Sequence, residues 1–174
     1  MNLIKGFLPT FQRLTIFLAA VVTGFVVAAP PTHARDLTGR LGIGYADQFA
    51  DYSPFFDMPS LSAKYTITKD LAIQGIVGFN TREPSGYTVA AKIIKNIFFE
   101  NHLNFYGAAV VGLLKRSETG FGLQGLFGME AFIPGIESLG LSFEAGVAAS
   151  NVTGDFEIRT VGMSFLHAGV HFYF

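Results

Sequence analysis

Seven ionisable side chains of this 174-residue chain stand in stretches otherwise made of apolar and small residues: Arg40, Lys64, Lys92, Glu130, Glu144, His167 and His171. Carboxylates, fixed cations and imidazoles sharing one apolar setting can relay a proton or an ion, or they can close on one another as a structural plug. Acyl transfer needs a nucleophile within hydrogen-bond reach of its base, which on one face of a strand means a spacing of two. No His-x-Ser pair exists: His102 is followed at that distance by Asn104, His167 by Gly169 and His171 by Tyr173, while Ser164 lies three residues before His167. Gly120-Phe121-Gly122-Leu123-Gln124-Gly125 matches the glycine pattern of dinucleotide-binding turns, with Glu144 about 20 residues further on. Asp47, Asp51 and Asp57 offer oxygen donors, but at a spacing that fits no EF-hand, and a solvated loop is the simpler reading. Without cysteine there is no thiol chemistry, disulfide framework or cysteine metal site. A net charge of −1 gives no basic footprint for nucleic acid.

Which of these chemistries is available depends on the elements that carry the residues, and the elements announce themselves by a period of two. Leu37, Leu41, Ile43 and Tyr45 alternate with Thr38, Arg40, Gly42 and Gly44; Leu61, Ala63, Tyr65 and Ile67 with Ser62, Lys64, Thr66 and Thr68. The same alternation recurs over 71–80, 87–94, 103–113, 121–130 and 141–150, and with switched parity over 166–174. Because the alternation runs straight through Gly120–Met129, no helix follows the glycine motif and dinucleotide binding is not expected. The turn at Lys69-Asp70 reads as tight, those around 96–101 and 133–140 as modest, and the stretches 46–57, 81–86, 115–119 and 151–160 as longer loops at the other end.

Half of the chain is hydrophobic and only 14% is charged, against about a quarter in an average globular protein, so much of the surface is expected to face something other than water. Residues 1–34 read as a cleavable signal peptide: Lys5 and Arg13 without an acid, a charge-free apolar run over 14–29, then Thr32-His33-Ala34 before the expected cut. The remainder, 35–174, has no uncharged run longer than the 15 residues from Thr160 to Phe174, too short for a transmembrane helix. Lipid then admits only a closed barrel. Eight alternating segments of about ten residues predict an all-β, eight-stranded, antiparallel up-and-down transmembrane β-barrel over 35–174. Tyr45, Phe79, Tyr87 and Phe121 fall on its outward face near one rim, and Phe105, Phe143, Phe172 and Phe174 near the other, where aromatic girdles belong.

This pattern, together with the ending Val170-His171-Phe172-Tyr173-Phe174, resembles the small bacterial outer-membrane barrels, the OmpX-like and OmpA-transmembrane-like class. The resemblance covers 35–174 and implies a Gram-negative source, passage through the periplasm to the outer membrane, and recognition by the assembly machinery through Phe172, Tyr173 and Phe174. It brings no functional residues with it, and no peptidoglycan-binding domain is expected after the barrel.

An eight-stranded barrel is just wide enough for its side chains to fill. Arg40, Lys64, Lys92, Glu130, Glu144, His167 and His171 are therefore expected to form one interior polar layer of structural purpose. Glu130 and Glu144 should be near cross-strand neighbours across the Pro134-Gly135 turn, with Arg40 or a lysine between them. Phe49, Tyr52, Phe55 and Phe56, in the first long loop, are the best place for a partner to bind, or else fold over the barrel mouth. The expected protein is a non-enzymatic outer-membrane barrel, monomeric, in contact with lipid and the assembly machinery, with a structural or surface-interaction role and no catalytic residue, cofactor or metal. The alternatives are a narrow channel for small apolar molecules, a lipid-modifying enzyme, and a secreted soluble barrel of lipocalin type, whose apolar face would lie inside.

Overall fold

The computed structural model of the chain describes residues 36–47, 60–81, 85–115, 119–151, 155–161 and 166–174. The expected signal peptide and Phe49, Tyr52, Phe55 and Phe56 lie outside the described residues. Alternating sequence becomes strand throughout: β1 (Leu41–Ala46), β2 (Ser60–Thr68), β3 (Leu71–Asn80), β4 (Gly86–Glu100), β5 (Leu103–Lys115), β6 (Thr119–Ile133), β7 (Ile136–Ser150), β8 (Glu157–Val161) and β9 (His167–Tyr173). Successive strands from β1 to β7 pair antiparallel. β7 then pairs with β8 along Gly146–Ser150 and with β9 along Leu139–Glu144, so β8 and β9 are two halves of one eighth stave. β9 pairs with β1 and closes the barrel.

The closure has a definite stagger. From Gly140 the register passes through His171, Gly44, Ser62, Ile76, Ala90, Gly112 and Gly122 and returns to β7 at Ser150, ten residues further along. Such a shear tilts the strands by roughly 40° and sets an interior that side chains fill.

Two tight turns replace the modest ones that the sequence suggests. β4 runs on to Glu100 and turns at Asn101-His102; β6 and β7 run to Ile133 and from Ile136, joined at Pro134-Gly135, where Gly135 takes φ 87°. The extra strand residues are absorbed by register shifts at 66/68, 96/98 and 132/133, all at this turn end, where bulges let a strand bend at a barrel rim. At the other end, Glu157–Val161 is strand where a loop to Thr160 is expected, since it completes the wall beside the upper half of β7. The expected outward Leu37 is also corrected. It precedes β1, in a turn held by a bond from the Arg40 amide to the Leu37 carbonyl, and packs beneath the lumen against Phe132 and Tyr173.

Side chains of one parity line the lumen and those of the other face out. Outward residues include Ile93 (58% exposed), Val147 (56%) and Phe79 (67%), while inward Lys64, Lys92, Glu130 and Glu144 are all buried. The lumen is filled in tiers. Leu37, Phe132 and Tyr173 form a floor at the turn end; Ile76, Ala90, Val110, Leu114, Leu126, Ala148 and Val161 form an apolar layer towards the loop end. The charged side chains lie between them.

Candidate functional site

The interior charges are organised by glycines. Tyr106 on β5, Gly128 on β6 and Glu144 on β7 stand side by side in the register, and the missing side chain on the middle strand lets the outer two meet. The Tyr106 hydroxyl donates to Glu144 Oε1 at 2.5 Å, and Lys92 Nζ, reaching from β4, donates to the same oxygen. A Cβ at Gly128 would come within 2.8 Å of both the Tyr106 ring and Glu144 Cγ, so the contact needs glycine.

The second unit repeats the first. Glu130 on β6 and Tyr173 on β9 flank β7 at Gly140, whose Cβ would lie 2.8 Å from Glu130 Oε1 and 3.0 Å from the Tyr173 ring. Tyr173 donates its hydroxyl proton to Glu130 Oε1 at 2.5 Å, and Lys64 Nζ, from β2 across the lumen, lies 2.7 Å from Oε2. Tyr106 faces both ammonium groups, with Lys64 Nζ 5.6 Å and Lys92 Nζ 6.0 Å from its ring centroid, and so ties the two units together. Ser62 and His171 form a third bridge, over Gly44 on the strand between them: Ser62 Oγ and His171 Nε2 are 2.5 Å apart, with Gln74 Nε2 at 3.4 Å from the same ring nitrogen. A Cβ at Gly44 would collide with the Val170 carbonyl oxygen and approach His171 Cα.

Two buried ammonium groups face two buried carboxylates, and each carboxylate is further satisfied by a tyrosine. Charges removed from water persist only when paired and hydrogen-bonded in this way. The expected layer is therefore gathered. Glu130 and Glu144 are near cross-strand neighbours, two residues out of direct opposition: Glu130 lies beside Ser142 and Glu144 beside Gly128. The cations between the carboxylates are Lys64 and Lys92, whereas Arg40 lies half-buried in the turn before β1. His167 sits beside Glu144 in the register, and its Nδ1 is 3.3 Å from Asp47 Oδ1, which also accepts the Ala168 amide at 2.8 Å. At the exposed base of the molecule, hydrogen bonds from the Thr38 hydroxyl and amide hold the Asp36 carboxyl below its ordinary range.

Among the described residues, Ser62–His171 is the serine–histidine contact that bears on acyl transfer, and its residues are 109 positions apart, beyond any search along one strand. A base in acyl transfer is oriented through its other nitrogen. Among the described residues His171 Nδ1 meets no hydrogen-bond partner, and both residues are buried, so the contact lacks the orienting group that such a base uses. Ser164, Asp51 and Asp57 lie outside the described residues, and among the described residues no three His, Asp or Glu side chains are grouped to hold a metal. Gly120–Gly125 is strand within β6. Phe172 and Phe174 face outward, whereas Tyr173 belongs to the interior layer. Tyr106 and Tyr173 are the members that sequence reading left out of that layer; their signal is inward parity beside a glycine on the neighbouring strand.

No family model matches the chain, and no characterised protein matches it in sequence. Among solved structures it is similar to the N-terminal β-barrel domain of Pseudomonas aeruginosa OprF, with a TM-score of 0.52 and 14% identity, over 79% of this chain and 98% of that one. At that identity the likeness is one of fold, and the fold shared is the closed, eight-strand antiparallel barrel.

Proposed function

We propose that the chain is an integral outer-membrane barrel protein, its wall in lipid and its interior closed, with a structural or surface-interaction role and no enzymatic activity. The observation that carries this reading is inverted polarity: Lys64, Lys92, Glu130 and Glu144 are buried while isoleucine, valine, leucine and phenylalanine face out from every side of the wall. Water would select the reverse arrangement, and a soluble protein rarely exposes a continuous apolar surface beyond a few hundred Å². A lipocalin-like barrel would hold its apolar residues inside, where this one holds its charges. Rings with cations beside them mark both ends: Lys115 lies 6.0 Å from the Tyr87 ring at the loop end and Lys69 5.0 Å from the Phe99 ring at the turn end. That pairing suits a headgroup boundary, where an amphipathic stem keeps its charge in water.

Outward Phe172 and Phe174 support recognition by an outer-membrane assembly machinery, and with it a Gram-negative source of the OmpX-like and OmpA-transmembrane-like class. The closed interior favours a structural role over a channel, because the apolar layer of Ile76, Val110 and Leu126 crosses the lumen beside the charged tier. The deciding experiment is gel mobility of the membrane-extracted protein before and after boiling, combined with cell fractionation. A folded outer-membrane barrel is expected to change mobility on boiling and to fractionate with the outer membrane. Unchanged mobility, or recovery as a soluble periplasmic product, would overturn the reading.

A further inference from the structure

Among the described residues, Thr66 Oγ1, Asn104 Oδ1 and His171 Nδ1 are buried polar atoms of the interior that meet no hydrogen-bond partner. Their residues are 2%, 3% and 2% exposed, so bulk water does not serve them. All three border the same unit. Thr66 is the next inward residue after Lys64 on β2; Asn104 stands opposite Glu130 in the register; His171 is the inward residue before Tyr173 on β9. We propose that this part of the lumen is a hydration site, in which a few trapped water molecules are hydrogen-bonded to Thr66 Oγ1, Asn104 Oδ1 and His171 Nδ1 around the Lys64–Glu130 pair.

Buried polar groups in folded proteins are almost always satisfied, and where protein partners are lacking an ordered water with two to four polar contacts supplies them. The Thr66 amide and carbonyl are already engaged by Arg40 and Gly39, which leaves its hydroxyl as the unmet group, and the His171 ring is held at its other nitrogen by Ser62. Donors are also in surplus at this point, because the Lys64 ammonium carries three protons and Glu130 Oε2 takes one of them. Leu37 and Phe132 belong to the apolar floor at the turn end and Ile76, Val110 and Leu126 to the apolar layer towards the loop end, so water in the tier between them is separated from the loop end. Water fits better than an ion, since two lysines already balance two glutamates and a further charge would stand unpaired.

A crystal structure of the detergent-folded full chain at high resolution tests this, with a Thr66→Val variant and a bromide soak beside it. The expected map has discrete water density within about 3 Å of each of the three atoms. In Thr66→Val the density at that position is lost while the Lys64–Glu130 pair stays in place. Protein partners on the three atoms, or an interior without density there, would overturn the proposal. So would an anomalous bromide peak beside Lys64, which would make the site one for an anion. The wild-type map decides the matter even if the variant does not fold.

Discussion

Single side chains in this barrel matter according to which way they face. Glu144 holds the Lys92 ammonium and the Tyr106 hydroxyl in a sealed layer, so Glu144→Gln leaves a buried cation without its counter-charge. Such a loss costs about 3–5 kcal/mol, whereas Glu100→Gln, at an exposed turn, is expected to stay within about 0.5 kcal/mol of the parent. Urea unfolding of the two variants in lipid vesicles measures the difference, and equal midpoints would remove the structural plug. Glycines divide in the same way. Gly44→Ala drives a methyl group into the backbone of Val170 and His171, which can yield only by breaking the β1–β9 ladder; it is expected to destabilise by about 2 kcal/mol or more. Gly75 faces outward with nothing within 4 Å of a Cβ, so Gly75→Ala is expected to leave stability unchanged or raise it by up to about 1 kcal/mol. The same unfolding assay compares them.

Strands differ in how firmly they are held. β4 and β5 pair along their whole lengths from Tyr87–Lys115 to Glu100–Leu103, while β1 meets β9 only along Gly42–Ala46. Because local opening follows the length of ladder that must be broken, amides of the β1–β9 seam are expected to exchange with deuterium at least tenfold faster than those in the middle of β4 and β5. Exchange monitored in detergent by NMR or mass spectrometry checks this, and uniform protection would count against a weak seam. Strand identity was largely legible from the sequence, since a period of two with apolar residues on one face admits little else. The ends were not. Turns expected over 96–101 and 133–140 shrank to Asn101-His102 and Pro134-Gly135 because strands prolong their ladders wherever a neighbour offers backbone partners, and a bulge absorbs the misfit. Leu37 continued the alternation and still left the wall, because the floor of the lumen offered it Phe132 and Tyr173.

At the scale of the whole barrel, the outward face is the property to test. Ile93 is 58% exposed in mid-strand, where a soluble protein would accept lysine at a cost within about 0.5 kcal/mol. In a bilayer the same Ile93→Lys change near the midplane costs about 2–4 kcal/mol. Equilibrium folding into vesicles, compared with the parent, distinguishes the two. The tiered interior makes a second prediction: reconstituted in planar bilayers, the barrel gives no steady ionic conductance, because an apolar layer lies beside balanced ion pairs. Steady single-channel currents would restore the channel reading.

The sequence by itself determined the strands, the face that each residue takes within a strand and the identity of most charges in the interior, because a side chain's direction in a strand depends on parity alone. Only the tertiary structure decided the partners. Which lysine meets which glutamate depends on the shear of the closed barrel, which brings Lys64 of β2 to Glu130 of β6 and Lys92 of β4 to Glu144 of β7. It also depends on the three β7 residues taken up by the shift at 132/133, which set Glu130 beside Ser142 and Glu144 beside Gly128. Tyr106, Tyr173 and the Ser62–His171 bridge enter for the same reason: each reaches across a glycine on an intervening strand, and which strands lie side by side, in which register, is settled only when β9 closes on β1.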